Sequence, residues 1–166
     1  MPPEVLAVEG CYAARDWTCA FDRGAALMEA EGYVASCLAD SHHGCAFPVL
    51  FLYSTGLAAA AEADNAGRRA IAERGLDLAR QMSDGVVDTD GEVFFSALRY
   101  DACKSMGDAA CVADSARMLR LARKSPDYDE ENVGRFVDDF EEETDVRLPM
   151  NLQAIMAEVA RTEKLQ

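Results

Sequence analysis

Polar and apolar residues do not alternate as in β-strands anywhere along this chain. The stretch "GVVDTDGEVFF" comes nearest to alternation, but Asp and Gly residues interrupt it. Strong helix formers dominate, with alanine especially frequent, and turn residues separate the helix-forming stretches. Nine helices are therefore predicted, over residues 3–14, 17–30, 33–39, 44–61, 65–82, 92–105, 109–124, 130–143 and 152–164.

Short polar residues before several of these stretches are suited to cap the helix that follows. Asp16, Ser41, Asp90 and Asp108 are the predicted N-caps, and residues 83–91 are predicted to form a loop. Most connections are short, so successive helices should pack antiparallel as helical hairpins. The length of 166 residues fits one domain. We expect a single all-α domain over residues 1–166, built as a tetratricopeptide-like array or an irregular helical bundle.

All six cysteines fall into three pairs with the same separation of eight positions. On one continuous helix that separation is an axial rise of about 12 Å, too far for a disulfide. Each pair, however, brackets a predicted chain reversal, which would bring its two sulfur atoms together. We therefore predict disulfides that staple the end of one helix to the start of the next, at Cys11–Cys19, Cys37–Cys45 and Cys103–Cys111. Each nine-residue loop would contribute about 2.6 kcal/mol by loop entropy.

Two other interpretations of the cysteines stay open. Free cysteines also serve as small buried hydrophobic residues, as they would in a cytosolic adaptor with free thiols. Alternatively, Cys37, His42, His43 and Cys45 lie within nine residues and could form a metal site or part of an enzyme, although their spacing is not that of a familiar zinc finger. Disulfides, by contrast, indicate an oxidising compartment, so the protein is expected to be periplasmic or secreted.

The formal net charge of −14 argues against nucleic acid and anionic membranes as partners, because both require a basic surface. The most apolar stretch, residues 45–61, is shorter than the roughly 20 residues that span a bilayer. We therefore expect no membrane insertion. The first ten residues lack the basic start and long apolar run of a signal peptide, which leaves open either a cytosolic protein or one whose leader has been removed.

The stretch "CKSMGDAACVADSARMLRLARKSP", residues 103–126, has a short Gly-Asp turn, small residues at intervals in its second helix and a proline at its end. It resembles a tetratricopeptide-type hairpin. Residues 11–32 align with it, with Cys11 on Cys103, Asp16 on Asp108 and Cys19 on Cys111. The gap of seven residues between cysteines is also similar to that of the cysteine-rich Sel-like repeat family.

This resemblance covers about half of the chain. It implies hairpins that stack into a solenoid and bind other molecules through a concave face. Equivalent cysteines fall 26 and then 66 residues apart, which is not one strict period. A compact bundle of irregular hairpins therefore remains an alternative.

No catalytic motif stands out in the chain. The two histidines are adjacent in a predicted turn, and no nucleophile elbow or phosphate-binding glycine loop occurs. The stretch around Gly91 does not match a calcium-binding loop. With Gly91 at the sixth position of the loop, Val86 and Ala97 take the first and twelfth positions, where carboxylates are needed. Asp88 and Asp90 are instead interpreted as turn and cap residues. We expect neither enzymatic activity nor a cofactor.

Residues 127–145 hold ten acidic residues and one arginine. Val133, Phe136, Val137 and Phe140 recur at helical spacing, so one stripe should pack on the core while acids cover the rest. That pattern fits either a solvated face or a docking surface for a basic partner. The basic residues Arg117, Arg120, Arg123 and Lys124 could also neutralise these acids within the protein.

The sequence as a whole predicts a protein-binding module of the cell envelope, one form of which is an inhibitor or immunity protein against a secreted toxin. Its partner is expected to be another protein with a basic contact surface. The carboxylates predicted to meet that surface are Asp138, Asp139, Glu141, Glu142 and Glu143.

Overall fold

The computed structural model of the protein describes residues 2–82 and 89–163, and the side chains of all of these except 89 and 90. These residues form nine helices and no strand. The helices are α1 (Pro3–Ala13), α2 (Trp17–Glu29), α3 (Tyr33–Leu38), α4 (Ala46–Ala60), α5 (Asn65–Gln81), α6 (Thr89–Ser105), α7 (Ala109–Lys124), α8 (Glu130–Thr144) and α9 (Leu152–Glu163).

The predicted all-α class and disulfide-stapled hairpins are confirmed. Helices α1 and α2, α4 and α5, and α6 and α7 form three hairpins, and α2 packs on α4 as α5 packs on α6. The short helix α3 links the first two hairpins. Helix α9 packs against α6 and α7, and α8 lies against α4. The first two hairpins thus each pack against the next one, and the third packs against α9.

Two predicted N-caps are wrong. Helix α4 begins at Ala46 rather than near residue 44, and no side chain caps it, so Ser41 has no such role. The reason is Gly44, whose φ of 55° lies in the left-handed region and keeps the chain out of the helix until Cys45. Asp90 lies within α6 instead of preceding it. The side chain of Asp90, and residues 83–88 of the predicted loop with Asp88, fall outside the described part of the chain.

The turn between α6 and α7 combines three local interactions in nine residues. Gly107 adopts a left-handed φ of 71°, and the N–H of Asp108 donates to the carbonyl of Cys103 at 3.0 Å, as in a Schellman C-cap. The Asp108 carboxylate then accepts from the N–H of Cys111 at 3.1 Å and caps α7. The disulfide joins these same two cysteines, whose Cα atoms are 5.8 Å apart.

The turn between α1 and α2 repeats this arrangement. The N–H of Asp16 donates to the carbonyl of Cys11 at 3.0 Å, and the Asp16 carboxylate accepts from the N–H of Cys19 at 3.2 Å. The left-handed position is held by Arg15, with a φ of 56°. Cys11 and Cys19 are bonded, with their Cα atoms 5.6 Å apart. One spacing of cysteine and aspartate therefore specifies the same stapled turn twice.

The third disulfide closes a different turn. Cys37 and Cys45 are bonded, with Cα atoms 4.9 Å apart, and join the end of α3 to the start of α4. Here the Asp40 carboxylate accepts from the N–H of His42, within the turn rather than at a helix start.

The core is centred on α6, where Phe94 and Phe95 are completely buried. Phe95 lies against Gly75 of α5, at which a Cβ atom would come within 2.6 Å of the ring. That close approach requires glycine and lets α5 and α6 pack tightly. Of the helices the structure describes, none combines the length and apolar character needed to cross a bilayer.

Peptide mapping without reduction is expected to recover three local disulfides, Cys11–Cys19, Cys37–Cys45 and Cys103–Cys111. Under mild reductant in native conditions, Cys11–Cys19 should open before Cys103–Cys111, because Cys103 and Cys111 are 0% and 4% exposed and a thiolate must reach a sulfur atom. Timed alkylation and mass spectrometry measure the order. Long-range pairing, or six free thiols in protein taken from its own cells, would contradict the stapled hairpins.

Replacing Gly107 with alanine is expected to lower the free energy of unfolding by about 1–2 kcal/mol, the cost of a Cβ atom in the left-handed region. Gly10, inside α1, is the matched control, since at both positions a Cβ atom meets nothing within 4 Å. Gly10→Ala should instead stabilise by about 0.5–1 kcal/mol. Urea unfolding of both variants tests this, and equal effects would show that backbone conformation at residue 107 is unimportant.

Candidate functional site

Helix α8 is attached to the hairpins by its apolar stripe. The ring centroid of Phe136 lies 4.6 Å from that of Phe94 on α6 and 6.1 Å from that of Tyr53 on α4. Val133 and Phe140 are buried, and Val137 is half-buried. The stripe therefore fixes the orientation of α8 about its own axis, and the opposite side of the helix faces solvent.

The C-terminal end of α8 is bound to α1. The Tyr12 hydroxyl donates a hydrogen bond to the Glu143 carboxylate, and the Arg15 guanidinium donates to the carbonyl of Thr144 at 3.4 Å. Together with Tyr53 and Phe94, these contacts place α8 across the first helix of each of the three hairpins. The cysteine-stapled turn that carries Arg15 thereby also positions the acidic helix.

Desolvation is the main cause of a raised pKa for Tyr12, with the hydrogen bond to Glu143 and the negative charge of that carboxylate adding to it. The pKa of the phenol rises from 10.0 to about 12. The protonated phenol is thus favoured in the folded protein. The contact between α1 and α8 is at full strength below pH 10 and weakens as the pH rises toward 12.

All five carboxylates predicted to bind a partner are exposed on α8. Glu143 accepts from Tyr12, and Glu141 accepts from the N–H of Leu148 at 3.4 Å, so these two also have structural contacts. In residues 2–82 and 89–163, the side chains of Asp138, Asp139 and Glu142 take part in no hydrogen bond and no ion pair. We call the surface formed by residues 138, 139, 141, 142 and 143 the acidic face.

The basic cluster on α7 does not neutralise this face. Arg117 pairs with Asp114 at 2.7 Å, one turn earlier on the same helix, and Lys124 pairs with Glu163 of α9 at 2.8 Å. Among the described residues, no acid between 127 and 145 has an ion pair within 4 Å. The sequence left open whether the α7 cluster neutralises these acids, and in the structure it does not.

Other arginines form ion pairs between helices, either across two hairpins or within one. Arg74 on α5 pairs with Asp22 and Glu29 of α2, both at 2.6 Å, and Arg99 on α6 pairs with Asp114 of α7 at 2.7 Å. Sequence reasoning missed these pairs, since their partners lie far apart along the chain and no local pattern marks them. Their consequence is that much positive charge is neutralised between helices, while the charge of α8 is left free.

A groove of about 1250 Å³ lies between α8 and α9, beside the acidic face. Asp138 and Glu141 belong to both the groove and the face. Arg123 and Arg147 also line it, from α7 and from the connection between α8 and α9. The large apolar side chains on its walls are Val133, Val137, Leu148, Met150, Leu152 and Met156. The sequence marked residues 147–151 only as a break between helices and gave no signal for a groove.

The alternative metal site around His42 and His43 is not favoured by the geometry. Both cysteines of that group are bonded to each other, so neither is available as a thiolate ligand. The two imidazole rings are exposed, with centroids 6.4 Å apart, and His43 packs on Phe47. Among the residues that the structure describes, no group of three or more His, Cys, Asp or Glu side chains could hold a metal ion.

Comparisons with protein-family models, with curated proteins and with solved structures found no significant match. The resemblance to tetratricopeptide-like and Sel-like repeats stays a prediction, supported by the sequence motifs in residues 11–32 and 103–126 alone.

Replacing Tyr12 with phenylalanine is expected to remove one phenol that ionises near pH 12 from an absorbance titration at alkaline pH. Because the folded pKa of this phenol is above its unfolded value, wild-type stability should fall between pH 10 and pH 12 by more than that of Tyr12→Phe. Thermal unfolding at pH 9 and pH 11 measures the difference. An unchanged titration curve in the variant would contradict the contact between α1 and α8.

Proposed function

We propose that this chain is an exported, non-enzymatic protein-binding module that recognises a basic surface of another protein through the acidic face of α8. The observation that carries the proposal is the free charge of that face. Its carboxylates are exposed, while the ion pairs of the described residues lie on other helices. Like charges held close together on a rigid helix favour a partner of opposite charge.

The attachment of α8 to the three hairpins supports this role further. Its stripe packs against two hairpins and its end is bound to a third, so the carboxylates are held in place before a partner arrives. A preorganised surface loses less conformational entropy on binding than a flexible acidic tail. An acidic segment that served solubility alone would not need such anchoring.

The compartment is part of the proposal. Three disulfides suit an oxidising environment such as the periplasm or the cell exterior. In such a compartment, one specific role is that of an inhibitor or immunity protein that covers the basic active surface of a secreted toxin. A small, acidic, disulfide-stapled chain suits that role by analogy.

Reversing Asp138, Asp139, Glu141 and Glu142 to lysine is expected to slow association with a basic partner about tenfold or more at low salt. Thermal stability should stay close to wild type, because these carboxylates are exposed and surface charges contribute little to folding. A single Asp139→Asn should have little effect. Added salt should reproduce the slowing in wild type, since the Debye length falls to about 3 Å at 1 M.

The matched control reverses four exposed acids outside α8, namely Glu4, Glu9, Glu31 and Glu62, and so changes the net charge by the same amount. Surface plasmon resonance with the partner immobilised gives the association rates. The partner is first isolated on immobilised wild-type protein under oxidising conditions. Equal slowing in both variants would reduce the role of α8 to general charge, and no slowing in either would refute the proposed function.

A further inference from the structure

The groove between α8 and α9 extends the acidic face into an apolar depression. Asp138 and Glu141 stand where the two meet, so a partner attracted to the face also reaches the groove. Its walls include Val137 of α8 and Met156 of α9, both half-buried and thus still able to lose exposed apolar surface on contact. Burial of such surface contributes affinity that exposed ion pairs alone do not supply.

The size of the groove indicates what kind of group it holds. Its volume of about 1250 Å³ exceeds the range of about 300–1000 Å³ typical of small-molecule sites. Methionines on its walls, Met150 and Met156, adapt to irregular apolar shapes and are frequent where peptides are bound. A segment of polypeptide with several side chains fits these features better than a single compact ligand.

Charge around the groove is distributed by element. The acids Glu130, Asp138 and Glu141 come from α8, whereas Arg123 and Arg147 come from α7 and from the connection before α9. In the part of the chain that the structure describes, none of these five side chains is in an ion pair within 4 Å. Basic groups of an occupant are therefore attracted along α8 and repelled from the two arginines, which orients the occupant.

We propose that the groove binds a segment of the partner in which apolar side chains enter between α8 and α9 while flanking lysines or arginines contact Glu130, Asp138 and Glu141. This inference rests on the proposed function, because it takes the partner to be a basic protein. It adds that recognition requires apolar anchors as well as charge. The acidic face then governs the rate of association, and the groove governs the lifetime of the complex.

The probes are three synthetic peptides: one with alternating Lys/Arg and Leu/Phe, one with Leu/Phe replaced by Ser, and one with Lys/Arg replaced by Glu. The readout is methyl NMR of the oxidised protein labelled at its methionine methyl groups. Met150 and Met156 report on the groove, and Met106, exposed in the turn between α6 and α7, is the internal control. The first peptide should shift Met150 and Met156 but not Met106, and the other two should bind about tenfold or more weakly.

Two alanines of α9 provide matched variants. Both Ala154 and Ala157 are exposed, but Ala157 lines the groove and Ala154 does not. Ala157→Trp fills the groove and should weaken binding of the first peptide about tenfold or more, whereas Ala154→Trp should leave it unchanged. Thermal unfolding checks that both variants fold alike, and the three-peptide comparison in wild type tests the proposal independently of them.

Several outcomes would overturn the inference. These are equal binding of the Glu-containing peptide, peptide binding that leaves Met150 and Met156 unshifted, and shifts that grow with protein concentration alone, which would assign the groove to a second copy of the chain. Failure here is distinguishable from failure of the proposed function. If Ala157→Trp leaves the complex with the basic partner unaltered while the fourfold reversal on α8 slows its formation, the acidic face binds the partner without the groove.

Discussion

The packing of Phe136 against Phe94 and Tyr53 is the contact on which the candidate site depends. Phe136 is half-buried, so its burial contributes less than the roughly 1.5–3 kcal/mol of a fully buried phenylalanine, and each well-placed aromatic pair adds about 0.5–1.5 kcal/mol. The acids of α8 repel one another, so the helix depends on this stripe, together with the contacts of Tyr12 and Arg15 at its C-terminal end, to stay packed on the hairpins. Without that contact the carboxylates would lose their common direction, and the groove would lose one wall.

The stapled turns contribute to the site from a distance. At the first turn, Cys11, Arg15 and Asp16 close α1 onto α2 through a disulfide, a left-handed C-cap and an N-cap. Tyr12, the neighbour of Cys11, then donates to Glu143 at the far end of α8. Local covalent and capping chemistry thus sets the orientation of the helix that carries the acidic face.

Local chemistry was predictable from sequence because its causes lie within a few residues. Asp16 and Asp108 cap their helices, and the cysteine spacing predicts all three disulfides that the structure contains. The prediction that Ser41 caps α4 was wrong, because Gly44 adopts a left-handed φ and delays the start of that helix.

Long-range features were less predictable from the same residues. The stripe on α8 was evident from its spacing, but nothing local showed that it would cross the first helices of three hairpins. The pairing of Arg74 with α2 depends on tertiary packing, and so does the groove between α8 and α9.

Carboxyl footprinting of the protein, free and in complex with its isolated partner, tests the central claim most directly. It measures the rate at which each carboxylate reacts with an amine label under carbodiimide activation, so it reports contact without any mutation. The account predicts that labelling of Asp138, Asp139 and Glu142 falls in the complex, while exposed Glu9 and Glu62 react as before. Unchanged labelling on α8, with protection elsewhere on the surface, would contradict it.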